Sequence, residues 1–164
     1  MTQEPRPDRF GYRGYVASRP VRGTSFPQQV QNLVVRDYAQ RNGLHYLLSS
    51  TEYAMPSCFL MLGAVLAELP KLRGVIFFSI FMLPQSKVRR LEIYDRILGS
   101  GGELHAALEN LTLRAREDIV AMEDLMDVEL TLPSLPMAGR YEKDDESMQQ
   151  RAADPFWSTL TEAL

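Results

Sequence analysis

The stretch that most constrains the fold is the apolar run at residues 74–83, which Pro84 closes. Its first half consists of β-favouring residues without polar alternation, as in a strand that is covered on both faces of a sheet. A run this short also fits a buried helix, but the Arg73-Gly74 pair before it and Pro84 after it favour a strand. The run therefore predicts a central strand of a parallel sheet. Ser79 then lies near the carboxyl end, where open α/β sheets bind their ligands.

Strand and helix patterns alternate on both sides of this run. The other predicted strands are residues 12–18, 44–49 and 104–108, and the predicted helices begin near residues 27, 56, 86 and 117. This alternating order resolves into an α/β three-layer sandwich around a mainly parallel central sheet of about four strands. We expect this domain over residues 11–132. A disordered N-terminus at 1–10 should precede it, and an irregular tail at 133–164 with a short C-terminal amphipathic segment should follow.

Several polar side chains have a simple structural interpretation. His105 lies in the middle of a predicted strand, which favours a hydrogen-bonded core histidine over a catalytic one. Cys58 lies on the apolar stripe of the second helix and is predicted to be an inert core residue. The third helix carries charged residues that we expect to form a solvated face: Lys87, Arg89, Arg90, Glu92 and Arg96.

The composition is that of an ordinary soluble globular protein, and the lack of a secretory signal or a membrane-spanning run predicts a cytoplasmic one. With 164 residues, of which 45% are hydrophobic and 24% charged, the chain is large enough for one domain with a core. Its net charge of -3 at pH 7 argues against a nucleic-acid-binding surface. A single cysteine excludes an internal disulfide and a cysteine zinc cluster, and no P-loop or dinucleotide fingerprint indicates a cofactor. There is also no secretory signal and no membrane-spanning run, so a membrane is not predicted as a partner. Taken with the charge and the missing motifs, the sequence predicts no metal, cofactor or nucleic acid either.

The loop after the first strand contains two arginines that could bind an anion. Arg19 and Arg22 follow Ser18 directly, and the loop leads into a helix N-terminus, which also favours negative charge. Gln29 and Asn32, on the first turns of that helix, could orient the ligand. The sequence therefore predicts a phosphate or carboxylate site here. Two arginines that only solvate a surface loop are the alternative.

Two glutamates at the ends of other strands are candidates for an acid/base pair. Glu52 follows the second strand and Glu109 follows the fourth, and a carboxyl group in a half-closed cleft can exchange protons near neutrality. Tyr53 could polarise a carbonyl or hydroxyl group, and Ser79 could hydrogen-bond a substrate hydroxyl. The alternative is that each glutamate accepts hydrogen bonds from backbone amides or pairs with an arginine.

Five motifs spread over residues 11–127 carry a family resemblance. They are Gly11-Tyr12-Arg13-Gly14-Tyr15, Ser18-Arg19-Pro20, and the runs at residues 27–38, 47–56 and 104–109. In these motifs the chain resembles the sporadic carbohydrate cluster proteins, which are encoded among genes for surface polysaccharides and related glycosylated products. The resemblance implies a carbohydrate pathway, and it assigns no reaction or catalytic residue.

A second resemblance concerns the fold. A tyrosine-containing first strand that ends in Ser18, a glutamine-rich start of the first helix and the strand order are similar to the catalytic domain of serine recombinases, the resolvases and invertases. This implies a resolvase-like, flavodoxin-like fold. That family's pattern has an arginine two residues before the serine, where this chain has Val16, and residues 79–84 replace its arginine-bearing motif after the third strand. Phosphodiester cleavage by Ser18 is therefore not predicted.

Together these features suggest three hypotheses for the function. The first is a small enzyme of carbohydrate biosynthesis that acts on a sugar or sugar phosphate by proton transfer, as an isomerase, epimerase or aldol-type enzyme. The second is a non-catalytic sugar-binding or scaffold protein of such a pathway. The third is a residual role on DNA, which the acidic balance disfavours. A homo-oligomer, with C2 symmetry as the default, is expected in each case.

Overall fold

Residues 74–77 of the apolar run provide the central strand of the sheet, as predicted, and residues 80–82 of the same run form a short 3₁₀ helix. A computed structural model describes residues 9–132, so most of the predicted N-terminal segment and all of the predicted tail lie outside the described residues. The strands are β1 (Tyr12–Ala17), β2 (Tyr46–Glu52), β3 (Gly74–Phe77), β4 (Glu103–Ala106) and β5 (Leu111–Leu113). The helices are α1 (Gln28–Arg41), α2 (Leu60–Glu68), α3 (Lys87–Gly99) and α4 (Asp118–Thr131). In the described part of the chain, no helix is both long and apolar enough to cross a membrane.

The five strands form one sheet in the order β2-β1-β3-β4-β5. The first four are parallel, and β5 pairs antiparallel with β4 through Leu104 and Leu113. The α/β class, the mainly parallel sheet and the flanking helices agree with the prediction. The predicted number of about four strands was one too low, because β5 has only three residues and follows a tight turn at Asn110, whose φ is 54°.

The centre of the sheet is covered on both faces. Every residue of β3 is buried, and Tyr15 and Val16 of the neighbouring β1 are inaccessible to solvent. This explains why the sequence of β3 shows no alternation. Gly74 permits a close approach between β3 and β4, because a Cβ at this position would lie 2.2 Å from the carbonyl oxygen of Glu103.

One residue of the predicted solvated face of α3 is in fact fully buried. Arg90 is 0% exposed and forms a two-pronged ion pair with Glu123 of α4, with Nε–Oε1 at 2.8 Å and Nη2–Oε2 at 2.7 Å. Its Nη1 donates to the carbonyls of Pro84 and Gln85 at 3.1 and 2.6 Å. Tyr94 also donates to Glu123, at 3.0 Å. Arg90 therefore joins α3 to α4 and fixes the loop that follows β3.

Candidate anion-binding site

The strand order places a switch point between β1 and β3. The chain leaves β1 to form β2 on one side and then crosses back to form β3 on the other. At the carboxyl edge of such a pair the two connections diverge and leave a crevice, which is where open α/β sheets bind ligands. A cleft of about 500 Å³ lies at this position. Its walls are the loop after β1, the loop before α2 and residues 81–86 after β3.

Three arginines line this cleft: Arg19, Arg22 and Arg89. We call it the arginine cleft. Among the described residues that line it there is no Asp, Glu or His. A concave surface with charges of one sign concentrates the electrostatic potential and attracts ligands of the opposite charge. Because arginine has a planar fork of donors, the cleft is suited to a phosphate or carboxylate group.

Arg19 is the anchored member of the three. Its guanidinium donates to the carbonyl oxygens of Cys58 and Met82, the second at 3.3 Å, and lies 4.5 Å from the centre of the Phe59 ring. These contacts connect the end of β1 with the segments that precede α2 and follow β3. They use part of its donor capacity and hold the positive charge at the base of the cleft.

Arg22 and Arg89 are the exposed members. A tight turn with paired hydrogen bonds between Val21 and Thr24 places Arg22 at its tip, with a positive φ of 51° that is uncommon for a residue other than glycine. The guanidinium carbon of Arg22 lies 4.8 Å from the centre of the Phe81 ring. Arg89 extends from the first turn of α3. The sequence analysis had assigned Arg89 to a solvated face and missed its place in the cleft.

The structure places Glu52 outside the arginine cleft, in a structural position. It is 0% exposed, and its carboxylate accepts hydrogen bonds from the backbone N–H of Tyr53, Met61 and Leu62 and from the hydroxyl of Tyr15, at 3.0–3.3 Å. Burial opposes ionisation of Glu52, but these hydrogen bonds outweigh it and hold the pKa below its ordinary value. The carboxylate thereby satisfies the free N–H groups at the start of α2.

Glu109 also has a structural position, because its carboxylate binds the turn after β3. Its Oε1 accepts from the Ser79 hydroxyl at 2.6 Å, and its Oε2 accepts from the backbone N–H of Ile80 at 3.0 Å. Ser79 is 1% exposed, and its oxygen in turn caps the short turn after β3 by accepting from Phe81 N–H at 3.2 Å. The predicted meeting of Glu52, Glu109, Tyr53 and Ser79 in one polar hollow with the arginines does not occur, because none of the four lines the cleft.

The polar residues predicted on the first helix also lie elsewhere. Gln29 and Asn32 line a separate groove between α1 and β2. Ser18 is exposed, and its hydroxyl accepts a hydrogen bond of 2.7 Å from Gln28. The residue of α1 that binds the end of β1 is the buried Gln31, which exchanges two hydrogen bonds with the backbone of Ala17. Gln31 lies one turn before the buried Val35 on the same side of α1, and this spacing was the signal that could have identified it.

Of the two other predicted core residues, His105 has the expected surroundings, whereas Cys58 precedes α2 and does not lie on its apolar stripe. His105 is buried and hydrogen-bonds Tyr38 through Nδ1 and Glu103 through Nε2, both at 3.0 Å. Cys58 is half-buried, just before α2. Within residues 9–132, no group of three or more His, Cys, Asp or Glu residues could hold a metal ion.

Comparison with known proteins shows the fold. No protein-family model matches the chain, and no curated protein matches it. Among solved structures, it is similar to the N-terminal catalytic domain of TP901-1 integrase, with a TM-score of 0.53 and 14% identity over 72% of this chain and 94% of that one. It is also similar to a resolvase family site-specific recombinase from Streptococcus pneumoniae, with a TM-score of 0.52 and 9% identity over 93% and 98%. The chain thus has the resolvase-like fold that the weaker resemblance implied.

These findings correct the functional part of the sequence analysis. The prediction of a carbohydrate enzyme is wrong, as is its alternative of a sugar-binding scaffold, because the structural neighbours are integrase and recombinase domains and not carbohydrate proteins. The exclusion of nucleic acid as a partner is contradicted for the same reason. No comparison supports the sporadic carbohydrate cluster family. The homo-oligomer stays a prediction.

Proposed function

We propose that this chain is a cytoplasmic nucleic-acid-binding protein that uses the fold of a recombinase catalytic domain to bind phosphate without cleaving it. The observation that carries this proposal is the arginine cleft at the switch point between β1 and β3. Arg19, Arg22 and Arg89 line it, and no carboxylate is among the described residues of its lining. The names of the two structural neighbours, an integrase and a site-specific recombinase, support DNA as the source of the phosphate.

The charge pattern supports a backbone contact. Phosphate groups supply most of the electrostatic part of nucleic-acid binding, and arginine is the side chain best matched to them. Arg19 holds a fixed charge at the base of the cleft, and Arg22 and Arg89 are exposed on its walls. The cleft therefore has one cation in a fixed position and two cations that a nucleic-acid backbone can reach from solvent.

The surroundings of Ser18 support binding without cleavage. A serine nucleophile needs a base or a nearby cluster of cations to activate it and to stabilise the charge that develops on phosphate. Here the Ser18 hydroxyl is hydrogen-bonded to the Gln28 amide. The position two residues earlier, where the recombinase pattern has an arginine, holds the fully buried Val16. Arg19, the nearest arginine in sequence, donates to the Cys58 and Met82 carbonyls.

The test is fluorescence anisotropy with a labelled DNA duplex at several salt concentrations. We expect binding that weakens with salt, because each neutralised phosphate adds roughly -0.9 to the slope of log K against log salt. The double variant Arg22→Gln/Arg89→Gln should weaken binding about tenfold or more and reduce the steepness of that slope by roughly two, one for each phosphate contact. Arg19 is left unchanged, because its substitution would also break contacts between loops.

The matched control removes two exposed arginines outside the cleft. Arg41 and Arg116 form surface ion pairs with Asp37 and Asp95 at 2.7 and 3.0 Å, and Arg41→Gln/Arg116→Gln changes the net charge by the same amount. We expect near-normal binding for this control. No binding by the parent protein, or equal losses in both double variants, would refute the proposal. A covalent protein–DNA adduct that disappears in Ser18→Ala would refute the absence of cleavage.

A further inference from the structure

A second cavity adjoins the arginine cleft. It has a volume of about 250 Å³ and lies between α2 and α3, with Leu62, Leu66 and Ile93 among its lining residues. We call it the apolar pocket. Phe59, Pro84 and Arg89 line both cavities, so the two are direct neighbours.

The junction of the two cavities combines a cation with an aromatic ring. Phe59 lies at this junction, and the guanidinium of Arg19 lies over its ring. Arg89, Glu92 and Arg96 add charged groups to the lining of the apolar pocket. A ligand that fits both cavities would have an anionic group for the arginine cleft. For the apolar pocket it would have a flat group with apolar faces and polar edges.

We propose that the two cavities form one site for an unpaired nucleotide of single-stranded nucleic acid, with its phosphate in the arginine cleft and its base in the apolar pocket. This inference rests on the proposed function and specifies the form of nucleic acid. In a duplex the bases are paired and stacked, so none can enter a pocket between two helices unless it is first unstacked. A single strand presents each base freely, and arginines and aromatic rings along its path are typical of proteins that bind it.

The first experiment compares three labelled probes at one salt concentration. They are a single-stranded oligonucleotide, a duplex of the same sequence, and a single strand of the same length whose sugars carry no bases. Stacking contributes enough for each bound base that the intact single strand should bind about fivefold or more tightly than the abasic strand. We also expect the intact single strand to bind more tightly than the duplex.

The second experiment closes the apolar pocket without touching the arginines. Gly63 of α2 lines this pocket, and a Cβ placed there meets no atom within 4 Å. Gly63→Leu should therefore fold and fill the space with a side chain. Gly99 at the end of α3 is equally open and lines neither cavity, so Gly99→Leu is the matched control. Urea unfolding curves establish that both variants are folded.

We expect Gly63→Leu to weaken single-strand binding about tenfold and to leave duplex and abasic-strand binding unchanged. Gly99→Leu should bind all three probes like the parent protein. Equal affinity for the three probes, or a Gly63→Leu variant that binds the single strand like the parent, would overturn the inference and leave the proposed function standing. Equal weakening of all three probes by Gly63→Leu would also overturn it. Unchanged binding of every probe in Arg22→Gln/Arg89→Gln would instead refute the proposed function.

Discussion

The buried ion pair of Arg90 and Glu123 gives a prediction that links stability to the binding site. Arg90 donates on one side to the Glu123 carboxylate and on the other to the carbonyls of Pro84 and Gln85, which line the arginine cleft. Arg90→Met keeps a long apolar side chain in the same space. It removes two of the hydrogen bonds to the carboxylate and the hydrogen bonds from Arg90 to the two carbonyl groups.

The size of the effect follows from what remains around Glu123. Removing one partner of a buried ion pair generally costs about 3–5 kcal/mol, because the other charge stays buried. Here the Tyr94 hydroxyl still donates to the carboxylate at 3.0 Å, and the Lys87 amino group lies 3.9 Å away. We therefore expect a loss near the lower limit, about 3 kcal/mol of the free energy of unfolding. For a domain with a typical stability of about 5–15 kcal/mol, the variant should still fold.

Urea unfolding followed by circular dichroism measures this loss. The control is Arg41→Met, which breaks an ion pair whose side chains are 62% and 57% exposed and should cost at most about 0.5 kcal/mol. The double variant Arg90→Met/Glu123→Met removes both charges and should be more stable than Arg90→Met alone. We also expect weaker nucleic-acid binding by Arg90→Met, because the wall of the arginine cleft loses its support.

The loss of stability in Arg90→Met should also depend on pH, in a direction that the Glu123 carboxylate determines. Burial opposes ionisation of Glu123, but hydrogen bonds from Arg90 and Tyr94 outweigh it and lower its pKa from 4.5. Without Arg90 the burial penalty dominates and the carboxyl group takes up a proton more readily. The difference in stability between parent and Arg90→Met should therefore shrink as the pH falls below about 4.5. The reasoning is refuted if Arg90→Met is within 1 kcal/mol of Arg41→Met at pH 7.

Three further predictions concern the sheet and its carboxylates. Glu52→Gln should lower the free energy of unfolding by about 2–3 kcal/mol in urea titrations, because an amide NH₂ would face backbone N–H donors; stability equal to the parent would contradict this. The melting temperature should fall as the pH drops, because the pKa of Glu52 is lowered from 4.5 in the folded protein and burial lowers that of His105 from 6.5. Each group contributes stability above its unfolded pKa, and this contribution is lost as the pH falls through its folded pKa. Gly74→Ala should be strongly destabilised, because its Cβ would lie 2.2 Å from a backbone oxygen, whereas Gly63→Ala, with no atom within 4 Å, should be neutral or more stable by about 0.5–1 kcal/mol; similar melting temperatures for these two variants would count against the packing argument.

The main elements of the fold could be predicted from local patterns. A buried parallel strand such as β3 reads as a continuous apolar run, so it was recognised. The position of α1 was also predicted, although its apolar residues Val30 and Leu33 are exposed in the structure. The burial of Arg90 could not be predicted. Adjacent helical positions differ by about 100° around the axis, so Arg89 faces solvent while Arg90 faces the interior, and its partner Glu123 comes from a helix much later in the chain.

The candidate site could be predicted only in part. Arg19 and Arg22 follow β1 directly, and the rule that ligands bind at strand ends was sufficient to place them. Arg89 reaches the same cleft from α3, which no local pattern indicates. Glu52 and Glu109 also follow strands, but whether a carboxylate faces a cleft or accepts backbone hydrogen bonds depends on the chain that folds over it. Here Glu52 accepts a hydrogen bond from the N-terminus of α2, and Glu109 accepts one from the turn after β3.

The hydrogen bonds of these carboxylates also determine the charge of the arginine cleft. Because Glu52 is enclosed by N–H and O–H donors and Glu109 is bound to the turn after β3, neither is among the residues that line the cleft beside Arg19 and Arg22. The sequence argument against nucleic acid used the net charge of -3, which averages over the whole chain. At physiological ionic strength exposed charges act over about 8 Å, so a phosphate in the cleft responds mainly to the guanidinium groups around it. The sign of the local potential, and not the sum over the chain, decides what this cleft attracts.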